Sequence, residues 1–414
     1  MADKVPPPLT ARGYEADQIG GWGSVDGGAE ETLELAWPNS VFVYDRMRRQ
    51  DAQIRSVLRA ATLPILRTNW SIDPAGARDE VVQLVAEDLG LPVKGSGPVG
   101  TLRTRDRFSW FDHLRLALLM LPFGHSVFEQ EARIDEQGRA RLKRLGHRPS
   151  RTIAEFNVAP DGGLISIQQA TSTGASGPIP VDRLVAYVYE KEGGNWAGMS
   201  LLRPAYKDWL LKDRLLRADT TTIIRNGVGI PVYEGAEGET DLSAGLAMAK
   251  QVRGGEEAGA ATPNGAKLRL MGVEGSLPDA LPRIRYHDEQ IARAVLAHFL
   301  NLGTQTGSWA LGSTFADFFT LSLQALAQQV CDTANQHVVE DLVDWNWGET
   351  EPAPKLVFEE IGSRQAATAQ AIKLLADAGI LLPDRSLEEA ARQQFGLPPK
   401  DPNPRIASTD GGTP

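Results

Sequence analysis

Little in this 414-residue chain is suited to covalent or metal chemistry. It has one cysteine, Cys331, so no intrachain disulfide can form and no cysteine cluster can hold zinc. That usage points to a reducing, intracellular setting. The six histidines, His113, His125, His147, His287, His298 and His337, are scattered, and no His-Glu-x-x-His is present. His337 and Glu340 share a helix face, but such a pair is more often a hydrogen-bonded, partly buried histidine than half of a metal site. Asp112-His113 has no Gly-x-Ser-x-Gly elbow to serve. Positive charge is also short: 43 Lys and Arg stand against 53 Asp and Glu, a net charge of −10. A basic surface that grips nucleic acid is therefore not expected, although a polyanion could pass such a protein without sticking. The amino terminus MADKVPPPLTARGYEAD lacks the apolar core of a secretory signal. The longest apolar run, Leu114–Phe123, contains Arg115 and is too short to span a bilayer. A soluble protein with no membrane partner is expected.

What is present reads as an α+β chain. An apolar content of 42% is ordinary for a globular protein, and the length suits two or three domains. Residues 1–39, rich in Pro, Gly and acids, suggest an extended arm. Apolar periodicity predicts one helix from Ser40 to about Arg67, a second over about 77–89 and a third over about 110–121. From Ser126 the period changes to two. Strands are expected there, at Arg141–Leu145, Ile153–Val158, Leu164–Gln168 and Leu184–Tyr189, with a turn at Asp161-Gly162-Gly163.

The region from Gly198 to Gly348 carries the most information. Ser200 and Pro204 open a helix over 201–225, about 38 Å long at ~1.5 Å per residue, which stops at Asn226-Gly227. Leu202, Tyr206, Trp209, Leu210, Leu211, Leu215 and Leu216 cover more than one of its faces, so it needs neighbours on both sides. A small insert follows, with strands at Ile230–Glu234 and Lys267–Met271 and a helix near Leu242–Arg253. A helix then resumes over about 287–302. Between it and the next helix lies GTQTGSWALGST, Gly303 to Thr314. Its glycine spacing resembles that of a phosphate-binding loop, but Ser313 stands where lysine belongs and a helix precedes it. Trp309 in this loop reads first as a packing side chain, second as a ligand or nucleic-acid contact. From Phe315 apolar residues recur every third or fourth position through Phe319, Leu323, Leu326, Val330, Ala334, Val338, Leu342 and Trp345, with neither Pro nor Gly: one very long helix. Trp345 and Trp347 are expected to anchor its end to the strands. Lys355–Glu359 reads as a strand, with helices over 363–378 and 387–395 and a polar tail.

The order of these parts resembles a phage portal protein of the Mu-type branch. Four stretches carry the likeness: RMRRQDAQIRSVLRAATLPILRTNWSIDPA (46–75), WAGMSLLRPAYKDWLLKDRLLR (196–217), DEQIARAVLAHFLNLGTQTGSWALGSTFADFF (288–319) and ALAQQVCDTANQHVVEDLVDWNWG (325–348). The resemblance implies a flexible arm at 1–39, a wing at 40–200, stem helices at 201–227 and 286–302 around a clip at 228–285, and a tunnel loop at 303–314. The long wing helix and a returning strand follow at 315–360, then a small helical crown at 361–400 and a tail at 401–414. It further implies a homo-oligomeric ring of about twelve subunits at one capsid vertex of the virion, assembled in the host cytoplasm. Double-stranded DNA would pass through the ring without sequence specificity. A large terminase would dock first and head–tail connector proteins later, with the major capsid protein around the wing. Thr304, Gln305, Thr306, Ser308 and Trp309 would face the channel. Lys207, Lys212, Arg214 and Arg217 would touch phosphates or neighbouring subunits. No cofactor, metal or catalytic residue is implied. The alternatives are a nucleotide-binding enzyme using the 303–314 loop and a minor capsid protein that is not a portal.

Overall fold

The computed structural model describes residues 30, 32–96, 108–171, 174–175, 177–228, 230–252, 261–271, 279–294 and 309–361, with 171, 175, 225–228 and 309–317 known by their backbone alone. The chain divides into one unit up to Phe358 and a second from Glu359 onward. Apart from Ile361, the expected crown and tail lie outside the described residues, as do residues 1–29 and 31 of the expected arm.

The first unit opens with two helices, α1 (Asn39–Gln50) and α2 (Ala52–Arg67), where one was expected. The break is at Asp51, which takes an extended conformation (φ −101°, ψ 123°) and accepts a hydrogen bond from the Ile54 amide at 3.0 Å. This is the side-chain N-cap that a restarting helix uses to satisfy an orphan donor. Strand β1 (Trp70–Asp73) follows directly, then α3 (Asp79–Leu89), which ends on Gly90 in the left-handed region (φ 66°). The third expected helix is divided into α4 (Trp110–Ala117) and α5 (Met120–Phe123).

The β module then builds in chain order: β2 (His125–Ile134), β3 (Ala140–Arg148), β4 (Ile153–Val158), β5 (Leu164–Thr171), the short β6 (Gly174–Ala175) and β7 (Ile179–Pro180), and β8 (Leu184–Val188). One antiparallel sheet has the order β3-β2-β8, and a second is built around β4 and β5. Gly124 and Gly198 let the entry to β2 lie against the chain leaving β8. Both have positive φ, and a Cβ on either would sit within 2.4 Å of a backbone oxygen of the facing segment.

Next come α6 (Tyr206–Val228), β9 (Ile230–Glu234), α7 (Ser243–Gln251), β10 (Lys267–Met271) and α8 (Leu281–Arg293). Strands β9 and β10 pair antiparallel, so the insert is a hairpin carrying a helix, as the sequence suggests. Helix α8 begins six residues before the expected 287, because Pro282 occupies its first turn, where a missing N–H costs least.

The long helix is α9 (Trp309–Ala334), a π-helical turn (Asn335–Val339) and α10 (Glu340–Trp347). Strand β11 (Lys355–Phe358) returns to pair antiparallel with β1, Ile72 opposite Leu356. Residues 309–314, assigned to a loop by their Gly and Ser content, are helical.

The main core joins α1, α2, α5, α6 and α8 through Val41, Tyr44, Met47, Ile54, Phe123, Leu202, Trp209 and Ile291. Leu35 is buried in it as well, and Glu30 forms a two-point pair with Arg203. Trp37 meets His125 edge-on and Phe156 at a tilt, with ring centroids 5.0 and 5.5 Å away. Part of the expected arm is thus packed, because Glu30, Leu35 and Trp37 carry side chains that the rest of the unit pairs or buries, while Leu33 stays exposed.

Candidate functional site

Helix α6 and helix α8 form the pair expected as a stem, and polar contacts fix how they face each other. The Lys212 ammonium donates to Asp51 at 2.8 Å and lies 2.6 Å from Asp288. Burial alone would lower its pKa, but the two carboxylates outweigh that and hold it above the ordinary lysine value. One turn away, His287 Nδ1 meets Asp208 at 2.8 Å. Lys212 is only 8% exposed. Its expected role at phosphates or subunit contacts is therefore corrected: the same carboxylate that caps α2 holds it inside the subunit.

The other three expected stem cations behave differently. Lys207, Arg214 and Arg217 are exposed. At about 100° per residue, Arg214 and Arg217 project within about 80° of Lys207, whereas Lys212 lies about 140° from it. Arg217 pairs with Asp213 one turn back at 2.8 Å. Beyond Lys212 the helix leaves the core, and Leu216, Ile223 and Ile224 are exposed at 43%, 63% and 64%. The upper half of α6 meets the expectation of neighbours on several faces, and its lower half carries apolar residues uncovered in a single subunit.

Thr304, Gln305, Thr306 and Ser308 lie outside the described residues. Trp309 is the first residue of α9, and its side chain is not described. A helical backbone at 309–314 also leaves Gly312 and Ser313 out of any loop that wraps a phosphate.

The long helix is tied to the sheets by side-chain amides. Asn335, in the π turn, accepts from the Leu356 amide at 2.7 Å and donates to the Leu356 carbonyl at 3.1 Å. Asn346 does the same to Ala140, at 2.9 Å both ways. Gln130 Nε2 donates to the His337 carbonyl at 2.8 Å and to Asp341 at 2.5 Å. Asn346 makes an anchoring contact between the two tryptophans expected to do so, of which Trp345 is 40% exposed and Trp347 half-buried. The His337 side chain is exposed, not partly buried as its place beside the apolar stripe suggested.

His113, His125 and His147 are structural. His113 Nε2 is 2.8 Å from the Tyr187 hydroxyl, with its ring against Phe128, while its neighbour Asp112 is exposed and near Arg115. Burial pushes His113 down to about 3, and burial likewise brings His125 and His147 to about 4. All three are neutral near pH 7.

The family described as the portal protein of Mu bacteriophage matches residues 41–397. The chain belongs to this portal family. It has the function of a phage portal protein at the capsid vertex. Its fold is similar to that of chains in three solved structures. One is the virion of a native gene transfer agent particle, with 14% identity and a TM-score of 0.55. Another is the neck of the empty particle computed with C6 symmetry, at 16% and 0.56. A third is the neck of the native particle computed with C12 symmetry, at 13% and 0.56. Each likeness covers 88% of this portal chain and 95% of the other. The mixed helix-and-sheet fold of this portal chain is what the sequence resemblance anticipated.

Proposed function

We propose that about twelve copies of this chain close into a ring at one vertex, with double-stranded DNA passing through its centre during packaging and ejection. The observation that carries this reading is the α6–α8 pair. Lys212 turns one face of α6 inward and the opposite face presents Lys207, Arg214 and Arg217, while further along the helix Leu216, Ile223 and Ile224 are apolar residues that a single subunit leaves uncovered. Apolar residues on an exposed helix are covered when subunits repeat around an axis. Three cations on a chain of net charge −10 give contact with phosphate without strong retention.

In this reading residues 303–308, just before α9, form the tunnel loop, and Thr304, Gln305, Thr306 and Ser308 touch DNA without net charge. The hairpin insert is the clip, on which a large terminase docks before head–tail connector proteins replace it. The major capsid protein surrounds the wing, and assembly takes place in the host cytoplasm. The ring works without a cofactor and without catalysis of its own. The symmetry of the native gene transfer agent neck supports a count of twelve.

The test is electron microscopy of the purified full-length protein together with mass from light scattering. A closed ring with a central pore is the expected result. A stable monomer or compact dimer at high concentration overturns the reading.

A further inference from the structure

The surface of α2 away from the core carries Arg55, Arg59, Leu63 and Arg67, each four residues from the next and all exposed. No acidic residue occurs between Asp51 and Asp73. Among the described residues none of these three arginines forms an ion pair. Like charges one turn apart on a helix repel, so Arg55 and Arg59 are mildly unfavourable in an isolated subunit.

The outer surface of the long helix carries a row of opposite sign at the same spacing: Asp332, Gln336, Glu340 and Asp344. The first three are exposed and Asp344 is half-buried, so the row stays on the outer side through the π turn. Gln328 donates to Asp332 at 2.7 Å, while Glu340 and Asp344 form no ion pair among the described residues. Glu340 and Asp344 are again like charges one turn apart.

Run antiparallel, the two rows match at each position. Arg55 falls opposite Asp344, Arg59 opposite Glu340, Leu63 opposite Gln336 and Arg67 opposite Asp332. Both rows span twelve residues, about 18 Å of helix. The one uncharged step coincides as well, with Leu63, 51% exposed, against the aliphatic stem of Gln336. On a chain with ten excess acids, an acid-free helix surface paired with a cation-free one is charge complementarity of the kind that fixes register and excludes wrong partners.

We propose that the arginine row of α2 docks on the acidic row of α9–α10 of a second copy of this chain, as a contact between adjacent subunits. The inference rests on the ring proposed above and adds which surfaces meet and in which register. The contact is head-to-tail, since the two rows differ, and contacts of that type generate rings when the rotation closes.

Charge reversal and swap test it on the full-length protein. The positions are exposed, and circular dichroism verifies that each variant is folded. Arg59→Glu and Glu340→Arg should each raise the concentration needed for closed rings about tenfold or more, and the double variant Arg59→Glu/Glu340→Arg should restore assembly. Wild-type rings together with reversals that assemble normally, or a double variant no better than the singles, overturn the pairing and leave the ring standing. Wild-type protein that forms no rings at all removes the ring and the pairing together. A third adverse outcome is binding of a short DNA duplex that Arg59→Glu abolishes while assembly is untouched, which would assign the arginine row to phosphate.

Discussion

Asn335 meets Leu356 as a neighbouring strand would: its side-chain amide both gives and takes a hydrogen bond with that one residue's backbone. Leu356 stands opposite Ile72 in the β1–β11 ladder, and the Ile72 amide and carbonyl are taken by Pro92 and Lys94. The backbone groups of Leu356 therefore point to the open edge of the sheet, where Asn335 closes them off. The widened π turn is where this side chain sits, in keeping with the specialised use of such turns inside long helices.

Replacing Asn335 with leucine should remove both hydrogen bonds and leave the Leu356 amide unmet, while the Leu356 carbonyl keeps the Cys331 thiol at 2.9 Å as a donor. At about 1–3 kcal/mol for a stranded group, destabilisation of that size is expected. Urea unfolding measures the loss, and hydrogen exchange should place the new lability at Leu356. An unchanged exchange rate there would refute the clasp.

Gly198→Ala should be among the most damaging small substitutions in this chain. Its φ of 65° disfavours a side chain, and a Cβ would sit 2.3 Å from the Gly124 oxygen. A loss of at least about 2 kcal/mol is expected, with thermal unfolding as the measurement. Gly138, also at positive φ but with open space around it, should tolerate alanine at a smaller cost.

Stability should fall on mild acidification through the buried histidines. Burial holds His113 near 3 and His125 and His147 near 4, below the ordinary 6.5, so the unfolded chain binds protons first. The stabilising contribution is present in full above about pH 6.5 and declines as pH falls towards 4. Each histidine accounts for about 1.4 kcal/mol per pH unit inside that window. Urea midpoints between pH 7 and 4.5 test this. His113→Phe should flatten the slope, and an unchanged slope would show that the ring is not buried neutral.

Lys212→Ala should destabilise by about 3–5 kcal/mol, because Asp51 and Asp288 then face each other without their shared cation. Neutralising Lys207, Arg214 and Arg217 together should leave subunit stability within about 0.5 kcal/mol of wild type. In the proposed ring, the triple variant should alter DNA packaging and not assembly. Unfolding curves combined with a packaging assay separate the two classes of lysine and arginine.

How far the sequence reached depends on what kind of signal each element carries. The hairpin insert was legible because Ile230–Glu234 and Lys267–Met271 are β-rich runs set off by Gly and Pro, and the structure places strands at those residues. The break at Asp51 was hidden because apolar residues keep a helical period across it, although an aspartate three residues before Ile54 is a capping signal. Strand β1 escaped notice because its four residues follow a helix directly, and only pairing with β11 reveals them. The start of α9 was misplaced because Gly307, Gly312 and Ser313 argue for a loop locally. The helices α6 and α8 were legible as helices, but which of the cations on α6 face inward depends on Asp51 and Asp288. These lie 161 and 76 positions from Lys212 in the chain, a separation no local pattern encodes.

The three amide side chains that bind the long helix to the sheets carry no charge and do not titrate. Ionic strength leaves such contacts nearly untouched, whereas it screens pairs between surface charges. The interior of a filled capsid is crowded with polyanion and counterions. The attachment of the long helix through Asn335, Asn346 and Gln130 therefore persists under those conditions, whereas the charged rows proposed to meet between subunits respond to salt.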